Sequence, residues 1–275
     1  MRNKRKRLSS ILVFMHLCLA LNTACCPIGG GKKVECSSTV LLAEISEYRA
    51  NGFTCTGMCF DSINHVFYIG NIGILTPEDA DNMKSTIVVL SENILTVQRE
   101  IILYELYPNM KDIQGVAYDG KDNTLWFCSF GENKIYHIYP SGEYIGSYDI
   151  KNPTGIAIDP TRNNVWVLTY TQLIQLSKNG IVQQIFDIEI EGQDQLCYDS
   201  SKDRLLMTVG LNYNGTNFVY EINPQNGKYE IKYNLLDSYA VEGIALYKGQ
   251  MYIANDGLYH NAKSPRNQIN IYEYK

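Results

Sequence analysis

Residues 154–169 read TGIAIDPTRNNVWVLT, and this stretch decides the fold. A Gly is followed by an apolar pair, an Asp, a polar turn and an apolar strand. The same order recurs in TGMCFDSINHVFYIG at 56–70 and QGVAYDGKDNTLWFCS at 114–129. Degenerate copies run DQLCYDSSKDRLLMTV at 194–209 and EGIALYKGQMYIAN at 242–255. A repeat of roughly 40 to 50 residues built from short strands marks a β-propeller.

Each unit continues into a hairpin. QLIQLS and IVQQIFDI flank Lys178-Asn179-Gly180, KIYHIY and EYIGSYDI flank Pro140-Ser141-Gly142, and NFVYEI and KYEIKYNL flank Gln225-Asn226-Gly227. Asn-Gly between alternating runs is a strong hairpin signal. Each blade is therefore four antiparallel strands, a to d. The fifth unit supplies only GIALY, QMYIAN and INIYEY. The unassigned run Thr39 to Glu47 reads as a strand and would complete that blade, closing the ring without an open sheet edge. The expected fold is all-β, a five-bladed propeller; six blades is the alternative, but no sixth unit is visible.

The ends and the charge bound the function class. Five of the first seven residues are basic, and the apolar run Ile11 to Leu21 follows. Eleven residues are too short for a membrane-spanning helix, so residues 1–24 read as a secretory signal. Leu21 to Cys25 resembles a lipobox, although Asn22 stands where an aliphatic residue is usual. Two routes stay open, a lipid anchor at Cys25 in the cell envelope and soluble secretion. Residues 25–37, with Gly29 to Gly31, read as a tether, and 38–275 as the propeller domain. Past the signal, 19 basic residues face 29 acidic ones, which argues against nucleic acid as a partner. A monomer is expected.

Eight Cys in an exported chain suggest disulfides. The repeat columns argue for free thiols instead, since Cys59 and Cys197 align with Ala117, Ala157 and Ala245. Cys55 and Cys59 lie about 13 Å apart along one strand, too far to pair. A Cys36–Cys55 bridge stays open.

The units resemble those of the NHL-repeat, gluconolactonase/senescence-marker and SdiA-regulated propeller families. The residues that carry the likeness are Thr154 to Pro160, Glu242 to Ala245 and Met251 to Asp256. In the gluconolactonase-like family, a Glu before the unit's Gly joins Asn and Asp from other blades to hold a divalent metal that polarises a lactone carbonyl. The resemblance implies Glu242, Asn255 and Asp194 in those roles. Thr56, Gln114 and Thr154 depart from the full ligand set.

The residue before each unit's Gly starts strand a at the channel mouth: Thr56, Gln114, Thr154, Asp194 and Glu242. The ends of strand b add Asn71, Phe130, Tyr170, Asn255 and Asp256. Oxygen donors without Cys or His suit a hard cation such as Ca²⁺; the competing reading is a hydrated polar plug. The repeat's Asp61, Asp119, Asp159 and Asp199 sit at the other end of strand a and read as turn formers. Long b-to-c loops in blades 1, 4 and 5 gather on the mouth face and bring Tyr213, Tyr259, His260, Lys263 and Arg266. His260 is the candidate general base, its alternative being a solvated loop residue. The expected function is an exported binding or interaction module for a small molecule, glycan or protein, its ligand site at the mouth over blades 4, 5 and 1. The alternative is a Ca²⁺-assisted esterase or lactonase. Five-bladed glycosidases need three channel carboxylates, and this ring holds two, Asp194 and Glu242, with Asp112 two residues off.

Overall fold

Two strands precede the repeats: β1 (Lys32–Val34) and β2 (Cys36–Leu41). Blade 1 is β3 (Cys55–Asp61), β4 (Val66–Asn71), β5 (Thr86–Ser91) and β6 (Val97–Ile101). A single helical turn, α1 (Leu103–Leu106), leads into blade 2. That blade is β7 (Ile113–Asp119), β8 (Thr124–Ser129), β9 (Lys134–Ile138) and β10 (Tyr144–Asp149). Blade 3 is β11 (Pro153–Asp159), β12 (Asn164–Thr169), β13 (Gln172–Ser177) and β14 (Val182–Asp187). Blade 4 is β15 (Gln193–Asp199), β16 (Arg204–Val209), β17 (Gly215–Ile222) and β18 (Tyr229–Ser238). Blade 5 is β19 (Val241–Tyr247), β20 (Gln250–Asp256) and β21 (Asn267–Glu273). The result is a nearly all-β, five-bladed propeller.

The computed structural model describes residues 30–41, 53–74, 82–210, 213, 215–257, 259–261 and 267–275. The ring lies in the unit Gly31–Lys275. The expected signal, Cys25, residues 42–47 of the closing run, the blade 1 loop from Leu75 to Asp81, Lys263 and Arg266 fall outside the described residues.

The ring closes as the repeat count requires. β2 pairs antiparallel with β21, Thr39 opposite Asn270 and Leu41 opposite Gln268. The strand begins at Cys36, earlier than the expected Thr39. β1 is a further difference: residues given to the tether add a fifth, parallel strand to blade 4, Lys32 opposite Tyr233. The reason is local. Val34 is buried in the blade 4–5 core, and the Asn234 side-chain amide donates to the Gly31 carbonyl at 2.6 Å. One apolar residue between charged ones carries no periodicity, so the sequence gives no strand signal there. β1 also covers the edge of β18.

Each blade interface has its own apolar core. The five clusters lie between blades 5 and 1, 1 and 2, 2 and 3, 3 and 4, and 4 and 5. Trp126 fills the interface of blades 2 and 3, Trp166 that of blades 3 and 4, both fully buried. Cys55 and Cys128 are buried and Cys36, Cys59 and Cys197 half-buried; all five are free thiols, so Cys36 and Cys55 are not bridged.

The a-to-b turns explain the repeat's Asp. Asp61, Asp119, Asp159 and Asp199 are buried, and each accepts from a backbone N–H two residues on, at 2.8 to 3.1 Å. The last turn residue is left-handed in four blades: His65, Asn123, Asn163 and Asp203, with φ of 53 to 59°. Asn, Asp and His are the non-glycine residues that tolerate this region best.

The same face carries a latch at every blade junction. The Tyr118 hydroxyl reaches Asp61, Lys178 pairs with Asp119 and Asp122, and Arg162 pairs with Asp203 at 2.6 Å. Tyr274 donates to Asp199 at 2.5 Å. Tyr247 and Lys248 hold Glu92, which joins the last blade to the first.

Candidate functional site

Four glycines form a collar around the axis. A Cβ on Gly57 would lie 2.5 Å from the Val116 nitrogen, on Gly115 2.7 Å from the Ile156 nitrogen, on Gly155 2.8 Å from the Asp194 oxygen, and on Gly243 2.4 Å from the Thr56 oxygen. The innermost strands therefore meet backbone to backbone. The fifth position of the column is Gln195, whose side chain is buried among them. Its Nε2 donates to the Thr154 carbonyl at 2.8 Å, and its Oε1 lies against Gly115. The glycines of the other blades leave room for this one long side chain.

Gln195 also places the acids. Its N–H donates to the Thr208 hydroxyl at 3.0 Å, and that hydroxyl donates to the Glu242 carbonyl at 2.7 Å. The bridge fixes β15 against β19, so Asp194 and Glu242 start adjacent strands side by side. Their carboxyls hydrogen-bond to each other. Asp256 comes in from the end of β20, and His260 from the turn after it. His260 Nε2 lies 3.3 Å from Asp256 Oδ2 and 3.7 Å from Glu242 Oε1. One donor atom each from Glu242, Asp256 and His260 fits within 4.8 Å. His260 Nδ1 lies 3.3 Å from the Tyr213 hydroxyl. The Tyr213 ring stacks on the imidazole, and Tyr259 meets it edge-on.

The electrostatics of this group are unbalanced. Burial pushes the Asp194 carboxyl up to about 7, and the Asp256 charge adds to it, against the Glu242 hydrogen bond. Burial, then the charges of Asp194 and Asp256, holds Glu242 well above the ordinary carboxylate range. Burial also raises Asp256, against the pull of His260. Burial lowers His260, but the hydrogen bond and charge of Asp256 outweigh it, and the imidazole ends above its usual value. Among the described residues, the only ion pairs of Glu242 and Asp256 are with His260, and no Lys or Arg forms an ion pair with Asp194. Asp256 Oδ1 is buried without a hydrogen-bond partner, and so is Oδ1 of Asn267, its cross-strand neighbour.

The other expected site residues divide. Asn255 turns its side chain to the backbone: its Oδ1 accepts from the Tyr239 N–H at 3.0 Å and its Nδ2 donates to the Ile253 carbonyl at 2.9 Å. Asp256, one residue on, points into the cluster instead, because successive strand residues face opposite sides. Asn71 plays the same clamping part in blade 1, accepting from Thr54 and Gly73. Thr56 and Thr154 are buried and spend their hydroxyls on the Gln114 and Leu168 carbonyls. Gln114 remains at the mouth, its Nε2 donating to Asp112 Oδ1 at 2.6 Å. Tyr170 is 54 % exposed there.

Gln195 and Asn267 belong to the mouth and lie outside the expected set. Gln195 had a signal, being the one long side chain in a column of glycines. Asn267 had none, since it lies beyond a long loop. A separate dish of about 340 Å³, lined by Phe60, Ile63, Tyr118, Lys121, Ile158 and Tyr198, opens at the opposite end of the axis, away from the carboxyls.

No protein-family model matches the chain. No curated protein matches it in sequence. Solved structures do match in shape. A glutaminyl cyclase from Myxococcus xanthus aligns over 89 % of this chain and 98 % of its own, with 11 % identity and a TM-score of 0.61. A luciferin-regenerating enzyme aligns over 86 % and 95 %, with 11 % identity and a TM-score of 0.55. A chain of a nidogen–laminin complex aligns over 74 % and 72 %, with 17 % identity and a TM-score of 0.56. These neighbours include both enzymes and a binding partner. What they share with this chain is the propeller fold, the level at which the repeat's family resemblance holds.

Proposed function

We propose that the protein is a ligand-binding propeller whose site is the channel mouth over blades 4, 5 and 1, with a divalent cation held by Glu242, Asp256 and His260. The observation that carries this reading is the unpartnered, buried Asp256 Oδ1 within a group of three carboxyls served by one imidazole. A buried carboxylate oxygen without a donor costs about 1–3 kcal/mol, and a cation would remove that cost. The expectation of Ca²⁺ rested on a site without His. With His260 in the set, a mixed nitrogen and oxygen site suits Zn²⁺ or Mn²⁺ better. The Tyr213 contact at Nδ1 would leave Nε2 to face the metal, the usual way a ligating imidazole is oriented. Bound there, the ion would polarise an oxygen of the ligand. Asp194 stands beside it as an acceptor for a ligand hydrogen. Titration calorimetry with Zn²⁺, Mn²⁺ and Ca²⁺ tests the reading; heat from none of the three would end it.

One observation favours a second reading, a metal-assisted esterase or lactonase. A carboxyl raised to about 7, like Asp194, is suited to take a proton at neutral pH. Hydrolysis of an aryl ester or lactone that requires metal and is lost in Asp194→Asn would establish it. For the amino-terminal segment we propose export, with lipidation at Cys25 or soluble secretion; incorporation of a labelled fatty acid that is lost in Cys25→Ala separates the two.

A further inference from the structure

The mouth has a second half, built by blades 2 and 3, which the cation reading leaves unused. Phe130 and Tyr170 follow β8 and β12 at equivalent places in consecutive repeats. Their rings lie 5.4 Å apart at 51°. Phe130 is half-buried, and Tyr170 is more than half exposed. Backbone bonds fix where this aromatic shelf stands. The Phe130 N–H donates to the Asp112 carbonyl at 3.0 Å. The Tyr170 carbonyl accepts from the Gln193 side chain, next to Asp194. The shelf thus runs from Asp112 on one side to Asp194 on the other. The charges of both carboxyls push the Tyr170 hydroxyl up after burial does, so both lie within electrostatic reach of its ring.

Asp112 is held deliberately. It adopts a left-handed backbone with φ of 58°, and Gln114 grips one of its carboxylate oxygens. Lys111 beside it is exposed and forms no ion pair among the described residues. Burial and the Gln114 bond are what shift Asp112, with no neighbouring base among the causes.

An exposed aromatic face with carboxylates at both margins is the arrangement that recognises an ammonium group, through the ring quadrupole and through charge. We infer that the shelf of Phe130 and Tyr170, flanked by Asp112 and Asp194, binds an organic cation, the amine or quaternary ammonium group of the ligand. The inference rests on the reading of the mouth as a ligand site and adds the class of ligand. In ring order Asp194 of blade 4 stands between Tyr170 of blade 3 and Glu242 of blade 5.

The test uses choline and its uncharged isostere 3,3-dimethylbutan-1-ol as probes, followed by calorimetry on the metal-free protein at about pH 8, where Asp112 and Asp194 carry charge. Choline should bind at least about tenfold more tightly than the alcohol, with Tyr170→Ala and Asp112→Asn each weakening it several-fold. Tyr170 is exposed and Asn tolerates a left-handed backbone, so both variants should fold. Choline is titrated with a chelator present and Zn²⁺ is titrated separately without it, so failure of the shelf and failure of the metal site are told apart. Equal binding of both probes, no binding of choline, or choline binding indifferent to Tyr170→Ala would overturn the inference. Tight binding of a neutral oligosaccharide, lost in Tyr170→Ala, would also overturn it and assign the shelf to sugar rings.

Discussion

His260 Nε2 lies 3.3 Å from Asp256 Oδ2, four residues earlier on a turn. The His260 N–H also donates to the Asp256 carbonyl, so turn and ion pair form together. One imidazole cannot balance Asp194, Glu242 and Asp256, and without a further cation the carboxyls must keep protons.

That requirement gives a pH dependence with a definite sign. Folded Asp194 titrates at about 7 and folded Asp112 at about 6, against roughly 3.9 for an unfolded Asp. Between these values the folded state holds more protons, so stability falls as pH rises from about 4 to 7. His260, also raised, adds the same sign above about 6.5, its unfolded value. Asp199 and Asp203 are lowered by their partners and lose stability as pH falls below about 4. The metal-free melting temperature should therefore peak near pH 4 to 5, and Asp194→Asn should flatten its decline toward neutrality. A melting temperature rising across that window would refute the protonated-cluster account.

The latch face makes an unequal pair of predictions. Arg162→Ala leaves buried Asp159 Oδ2 without its partner at 2.6 Å and should cost about 1–3 kcal/mol. Asp203→Asn keeps the left-handed turn and weakens half-exposed contacts to Arg162, Tyr198 and Gln225, for under about 1 kcal/mol. Urea denaturation measures both, and equal costs would mean that the blade junction, rather than the buried acid, sets the value.

The glycine collar can be tested by adding one methyl group. Gly155→Ala drives its Cβ into the Asp194 and Leu196 backbone at 2.8 and 2.9 Å and should cost at least about 1–3 kcal/mol. Gly146→Ala meets only the Tyr148 ring at ordinary contact and should change little. Similar melting temperatures for the two variants would show that the blades can part around the axis.

Ring closure is tested by truncation. Removing residues 1–30 leaves β1 and β2 intact. Removing 1–41 strips the outer strand from blade 5 and the cover from blade 4, exposing two pairing edges. The shorter truncation should melt cooperatively and the longer one should aggregate; identical behaviour would show that the closing strand is dispensable.

The repeat made the architecture legible because the units share a period: Gly where blades touch in four of them, Asp where the turn closes in four, an Asn or Gly where the hairpin reverses. The counted deficit of one strand in blade 5 pointed to the amino-terminal strand. β1 stayed hidden because Val34 alone carries its burial. The site was half legible. Glu242 and Asp194 followed from their column, but the choice between Asn255 and Asp256 depends on which face of β20 each occupies, and a bulge between Val241 and Ile244 shifts that register. His260 could be placed on the right face, while its contact with two carboxyls depends on a turn that no periodicity describes.

The most direct measurement is a calorimetric titration of the metal-free protein with Zn²⁺ and Mn²⁺, beside the Glu242→Gln variant. The account predicts one site per chain, proton release on binding, a higher melting temperature by mass action, and loss of all three in the variant. Absence of binding, or binding unchanged in Glu242→Gln, would contradict it and leave the carboxyls as a protonated plug at the mouth of the channel.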